Sequence, residues 1–348
     1  GRARSAALSR RFDEAEAIYR DLLEKYPRDP ILLNERDQVL ALKAGATSAT
    51  FFSLRLRAGY IYDSNANQGA ESDVVQVFPN LNNLRITFRD TKKIASSAAY
   101  FGANLDFSRR LPDGSPWSFV ADSSFYIRGN EDSALKDLKN SEWQWYRLGA
   151  GLRYAKGQNL FEFRVKGEVF DYELTNHVLS WGPEITYLRA VVPTFHLISQ
   201  LSLDIRNYQR NPDRDGTYGQ VAQYGRIFFG QNVHSLTFGA AYLWGRPKMD
   251  SLGHDGYAIP VRLTLRPHED WEISPNATYT YERYKGPAIV IDTKDRRDKK
   301  FRTGVDLIYK LNDNWRVEVN YSHNRDNSNS PLYDYSQDVI GVGLSWGF

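Results

Sequence analysis

Asn159-Leu160-Phe161-Glu162-Phe163-Arg164-Val165-Lys166-Gly167-Glu168-Val169-Phe170-Asp171-Tyr172 alternates apolar and charged residues almost without a break. Successive side chains of a β-strand point to opposite faces, so Phe161, Phe163, Val165 and Val169 share one face and Glu162, Arg164, Lys166 and Glu168 the other. The same period of two recurs along the chain. Tyr257, Ile259, Val261, Leu263 and Leu265 oppose Arg262, Thr264 and Arg266. Trp315, Val317, Val319 and Tyr321 oppose Arg316, Glu318, Asn320 and Ser322, and Ile340, Val342, Leu344, Trp346 and Phe348 oppose a face of Gly and Ser. A soluble barrel would turn the apolar face inward. Aromatic residues at the strand ends (Trp143, Trp181, Trp244, Trp271, Trp315, Trp346) fit interfacial girdles instead, which turns the apolar face to lipid and the charged face to a lumen.

Working outward, period two holds from Phe51 to the last residue and predicts fourteen antiparallel strands: 51–62, 94–108, 116–129, 141–155, 159–172, 177–191, 195–209, 218–230, 233–246, 256–267, 271–284, 299–311, 315–325 and 336–348. Most are long enough to cross a bilayer tilted, which takes ~9–11 residues. Short links (109–115, 155–158, 192–194, 230–232, 267–270, 311–314) alternate with longer polar ones (63–93, 130–140, 210–217, 247–255, 285–298, 326–335), the link 173–176 being a short exception. Outer-membrane barrels have short periplasmic turns and longer outside loops, so both chain ends are expected in the periplasm. The link 63–93 contains Val74–Phe78 and Leu84–Phe88, which would raise the count to sixteen, but both are too short to span and are read as part of a loop.

Residues 1–48 carry a helical period instead, and the barrel is expected over 49–348. Ala15, Ile18, Leu22 and Leu23 fall on one helical face, Asp13 with Glu16 has the spacing of a capping box, Pro27 and Pro30 end this helix, and a second runs over about 31–43. The string Arg11 to Pro27 looks like the second helix of a tetratricopeptide repeat, with a plain helical cap as the alternative. One repeat cannot bury its own face, so further repeats or a packing surface on the barrel are expected. The chain starts at Gly1 without a signal peptide and is read as a mature or trimmed fragment.

Composition limits the chemistry. No cysteine is present, which excludes thiolate metal sites, disulfides and a Cys nucleophile. A net charge of +3 is too small to argue for nucleic acid. The histidines (177, 196, 234, 254, 268, 323) never fall at metal-site spacing, and no phosphate loop or nucleophile elbow occurs, so no cofactor, metal or catalytic site is expected. Tyr321-Ser322-His323-Asn324 resembles the His-Ser chemistry of outer-membrane lipases, but Ser322 faces inward while His323 faces lipid, which favours a plain rim histidine. The lumen-lining candidates are Arg55, Arg57, Arg147, Arg153, Glu162, Arg164, Lys166, Glu168, Arg206, Arg262, Arg266, Arg302, Asp306, Arg316 and Glu318. They read equally as a wall of mutual ion pairs or as a hydrated path for a polar polymer. Fourteen strands at ~4.8 Å spacing and ~40° tilt give a backbone diameter of roughly 28 Å, with ~10–15 Å clear inside, enough for an extended chain but not a folded domain.

Three features together, the repeat-like helix 11–27, the string Ala58-Gly59-Tyr60-Ile61-Tyr62-Asp63-Ser64-Asn65-Ala66-Asn67 and the terminal Gly343-Leu344-Ser345-Trp346-Gly347-Phe348, make the chain similar to the surface lipoprotein assembly modulators (Slam proteins), outer-membrane components of type XI secretion. The resemblance implies a translocator that secretes or displays particular lipoproteins or soluble proteins, often metal- or haem-acquisition factors, with no enzymatic activity. It makes Tyr62, Asp63, Asn65 and Asn67 a candidate functional motif, and Trp346 and Phe348 a signal for the barrel-assembly machinery. Outer-membrane lipids and lipopolysaccharide complete the implied surroundings. Slam proteins carry several repeats where this chain shows barely one. An exopolysaccharide export porin, which also joins repeats to a barrel, and a passive porin remain the alternatives.

Overall fold

A computed structural model describes residues 12–25, 39, 50–68, 70, 74–76, 85–87, 93–112, 115–131, 142–172, 176–231, 233–287 and 294–348. Helix α1 (Phe12–Lys25) stops short of Pro27, and Ala15 and Tyr19, four residues apart on one face, are buried. Asp13 stands inside the first turn of α1 and not ahead of it, a one-residue difference in where the helix begins. Of the second expected helix only Val39 lies within the described residues.

The remaining elements are β1 (Thr50–Asp63), β2 (Val74–Gln76), β3 (Arg85–Thr87), β4 (Ser96–Arg110), β5 (Trp117–Asn130), β6 (Glu142–Lys156), β7 (Asn159–Tyr172), β8 (Asn176–Val192), β9 (Phe195–Tyr208), β10 (Gly216–Phe229), β11 (His234–Pro247), β12 (His254–His268), β13 (Trp271–Tyr284), β14 (Arg297–Lys310), β15 (Trp315–Ser328) and β16 (Tyr335–Gly347). β1 and β4–β16 close into one fourteen-stranded antiparallel barrel, with β1 paired to β4 on one side and to β16 on the other. Closure leaves no strand edge with unpaired backbone groups, the condition for a sheet in hydrocarbon. The pieces expected to be too short to span, β2 and β3, pair with each other in a separate two-stranded sheet.

The alternation read from the sequence sets the two faces. Phe161, Phe163 and Val165 of β7 are exposed on the outside, while Lys166 is buried. Tyr257, Ile259 and Val261 of β12 and Ile340, Val342 and Leu344 of β16 are exposed in the same way. An apolar surface of this extent belongs in lipid, since soluble proteins rarely expose contiguous patches of more than a few hundred Å². Several strands run beyond their expected ends. β15 continues through Arg325, Asp326 and Asn327, which still pair with β14 and β16. Above the lipid nothing requires an apolar exterior, so the alternation fades before the strand does.

One aromatic expectation is corrected. Tyr146, Leu148 and Leu152 set the outer face of β6, so Trp143 faces the interior, with the Arg128 guanidinium 5.0 Å from its ring centre. Trp117, which the sequence reading omitted, is exposed at the start of β5. The strand ends at 110/117, 156/159, 192/195, 229/234, 268/271 and 310/315 form one rim, hereafter the turn rim, and the opposite strand ends form the loop rim. Gly157, with φ +60°, makes the two-residue turn between β6 and β7.

Candidate functional site

The interior holds two different electrostatic arrangements, one at the loop rim beside the β1–β16 seam and one along the walls.

At the rim, β1 ends on Asp63, which is fully buried. Strand order brings β16, β1, β4 and β5 side by side, so inward residues of β16 and β5 converge on it. Arg128 Nη2 of β5 donates to Asp63 Oδ2 at 3.1 Å, and Gln337 Nε2 of β16 lies 3.0 Å from both carboxylate oxygens. The backbone N–H of Asn65 donates to Asp63 Oδ1 at 2.9 Å, an Asx turn that folds the chain back as it leaves the strand. Asn65 Nδ2 then donates to the Ser336 carbonyl at 2.9 Å, and Asn67 Oδ1 accepts from the Ile94 N–H at 2.9 Å. Arg128 Nε donates to Asn130 Oδ1 at 3.0 Å. Asp63, Asn65 and Asn67 thus tie three strands and the following loop into a buried polar knot. Tyr62 points the other way, exposed on the outer face.

Along β5 to β9 the wall charges are closely matched. Asp122 pairs with Arg164 and lies 3.4 Å from Arg147. Glu162 contacts Arg153 and Arg164, each at 2.6 Å. Glu184 lies 3.5 Å from Arg147 and 3.8 Å from Lys166, and Glu168 3.8 Å from each. Asp204 lies 3.2 Å from Lys166 and 3.5 Å from Arg206. Five bases face five acids. Elsewhere Arg262 pairs with Asp306 and Arg266 with Glu272, both at 2.7 Å, and Arg302 Nε donates to Asn324 Oδ1 at 2.8 Å. Arg57 lies 3.7 Å from Glu318. Arg55 and Arg316 have no carboxylate within ion-pair distance among the described residues. A cavity of about 570 Å³ lies inside the seam, lined by Arg55, Arg57, Tyr100, Arg128, Arg262 and Glu318 among others.

Residues missing from the sequence reading are Arg128, Gln337 and Tyr100. Arg128 was detectable, since it lies in phase with Asp122 on β5. On the outer face His323 Nδ1 lies 2.9 Å from Asp338 Oδ1, which also accepts from the Tyr321 hydroxyl at 2.9 Å, while Ser322 lies on the opposite face. His268, Glu269 and Asp270 bring possible ligand atoms together in the β12–β13 turn, but they are sequence neighbours at the surface. Just outside the strands, the Lys248 ammonium and then the Tyr208 N–H hold the Asp215 carboxyl below the usual range.

A profile of the surface lipoprotein assembly modifier family matches residues 52–348, all of the barrel apart from its first two residues. The chain belongs to this family. No curated protein matches this family member in sequence. Among solved structures it is similar to OmpT, an outer-membrane protein of Vibrio cholerae, at 11% identity, covering 86% of this chain and 97% of that one with a TM-score of 0.45. The outer-membrane channel DcaP of Acinetobacter baumannii is 12% identical over 86% and 97% with a TM-score of 0.48, and a Pseudomonas aeruginosa FadL homologue 8% identical over 86% and 90% with a TM-score of 0.46. The family and the closed barrel together make this an outer-membrane β-barrel involved in surface lipoprotein assembly.

Proposed function

We propose that this surface lipoprotein assembly modifier is a non-enzymatic translocator, which carries specific lipoproteins or soluble proteins through its lumen to the cell surface. The observation that carries this reading is a closed barrel with a charge-lined interior, in a chain whose family is defined by lipoprotein assembly. Substrates of the metal- or haem-acquisition type follow from the resemblance to Slam proteins. The turn rim faces the periplasm, with α1 on that side, and the barrel-assembly machinery inserts the chain among lipopolysaccharide and lipid. The wall charges act collectively on passage, and a well-exposed pair such as Arg262 with Asp306 is worth only ~0–1 kcal/mol by itself. Asp63, Asn65 and Asn67 act as positioning residues that keep the seam closed at the outer rim, because the Asp63 carboxylate has no surface left for a substrate to touch.

The test is reconstitution of the full chain in liposomes with a candidate lipoprotein, scoring protease-accessible transfer. Transfer of polysaccharide without protein would replace this reading with an exporter of polysaccharide. Orientation is checked on intact cells: a tag within 329–334 is expected to be labelled from outside, and labelling of a tag at 157–158 instead would reverse it.

A further inference from the structure

The wall on the β14–β15–β16–β1 side differs from the five-to-five wall along β5 to β9. Lys310, Arg316, Ser345 and Arg57 are successive partners across these four strands, so they form one inward row near the turn rim. Arg55 lies one step nearer the rim, opposite Gly347. The floor between the bases is therefore made of the smallest side chains, Ser345 and Gly347. Arg55 lines three adjoining cavities of about 570, 250 and 330 Å³. Arg316 and Arg57 act on it as like charges, and Glu318 and Asp106 as the opposing carboxylates. The three cavities together are lined by six bases (Arg55, Arg57, Arg128, Arg164, Arg262 and Arg316) and five acids (Asp106, Asp122, Asp306, Asp313 and Glu318), and neither Arg55 nor Arg316 has an ion-pair partner among the described residues.

We propose that Arg55, Arg57 and Arg316 form a cradle that binds the carboxylates of an acidic, extended polypeptide segment entering the lumen. This deepens the translocator reading and rests on it for the choice of a polypeptide. Spacing supports that choice. Arg55 and Arg57 are two residues apart on one strand face, ~6.8 Å, which is the repeat of alternate side chains in an extended peptide. Arg57 and Arg316 stand two strand spacings apart, ~9.6 Å, which leaves room for one backbone over Ser345. Guanidinium groups in this setting take carboxylates in a forked pair of hydrogen bonds.

The experiment measures binding without transport: fluorescence anisotropy of a labelled hexaglutamate peptide with the full chain in detergent micelles. The wild type is expected to bind, with affinity falling as salt rises. Changing Arg55, Arg57 and Arg316 together to Gln is expected to weaken binding by about tenfold. The same three changed to Lys, which keeps the charge and loses the fork, should bind more tightly than the Gln variant and more weakly than the wild type. Changing Arg206, Arg266 and Arg302 to Gln, the same loss of charge at lumen positions that line none of these three cavities, should alter binding less than about twofold. Heat-modifiable mobility checks folding, and if the triple Gln variant does not fold, Arg316→Gln alone is read, with about a threefold loss expected. No binding by the wild type, equal weakening by the control triple, or tighter binding of an oligogalacturonate of equal charge would each overturn the cradle. A wild type that binds the peptide yet moves no lipoprotein into liposomes supports the cradle and counts against the translocator reading.

Discussion

Removing the Asp63 carboxylate tests whether the knot holds the barrel together. Asp63→Ala deletes the acceptor for Arg128, for the Asn65 N–H and for Gln337 in one step. The Arg128 side chain is only 5% exposed, so its charge would remain buried without a counter-ion. Breaking one partner of a buried pair typically costs ~3–5 kcal/mol, mostly the penalty of the charge left behind. If that penalty dominates, removing both charges should cost much less: the double variant Asp63→Ala, Arg128→Met is expected to recover roughly 2 kcal/mol relative to the sum of the single changes. The assay is reversible urea unfolding of the full chain in phosphatidylcholine vesicles, followed by tryptophan emission. Below about 1 kcal/mol for Asp63→Ala, no buried charge was stranded. A double variant as costly as the two singles added would show that the residues do not interact. Either result would refute the reasoning.

Gly59→Val should abolish heat-modifiable barrel, because a Cβ at Gly59 would meet the Val342 carbonyl oxygen at 2.3 Å, whereas Gly129→Ala, with nothing within 4 Å, should assemble normally. Deleting Phe348 removes the reciprocal backbone bonds with Leu54 (3.1 and 3.2 Å) that finish the seam, and should lower the assembled fraction more than deleting any one residue of 329–334. Arg262→Ala should change stability by no more than ~1 kcal/mol in urea titrations, since Arg262 and Asp306 are both well exposed to the lumen. Asp215 has a depressed folded pKa, so its contribution is present above the unfolded value of ~3.9 and is lost as pH falls below it. Amide exchange at Tyr208 should therefore stay protected at pH 5, and early loss there would contradict the Asp215 contacts.

Strand number and facing were legible because lipid imposes a rule that each spanning residue obeys separately. Phe161 must be apolar and Glu162 is free to be charged, whatever their neighbours do. The rule lapses at the rims, which is where the reading of the sequence was weakest: Trp143 looked like a girdle residue by type, and only its phase relative to Leu148 turns it inward. Ion-pair partners were less legible than facing, because Arg147 meets Asp122, Glu168 and Glu184 through register across β5 to β8, which period two does not specify. Gln337 was invisible for a related reason. A polar residue near a strand end looks like any loop residue until barrel closure sets β16 beside β1 and brings it to Asp63.

The same closure bears on the route of a passenger. β1 pairs with β16 along nine residues, from Arg55 to Asp63, but with β4 along fourteen, so the seam is the shortest ladder β1 makes. A lateral exit beside β1 would open there before it opened between β1 and β4. Yet the knot pins its loop-rim end, and the Leu54–Phe348 bonds pin the other. Parting the strands between would leave backbone donors and acceptors unpaired in hydrocarbon, at several kcal/mol for each group. A passenger threading the lumen meets no such barrier. It meets side chains that can exchange one polar partner for another, at ~0–1 kcal/mol for a well-exposed pair such as Arg262 with Asp306. The lumen is therefore the route we propose, with the seam acting as a fixed inner wall along which an extended chain can lie.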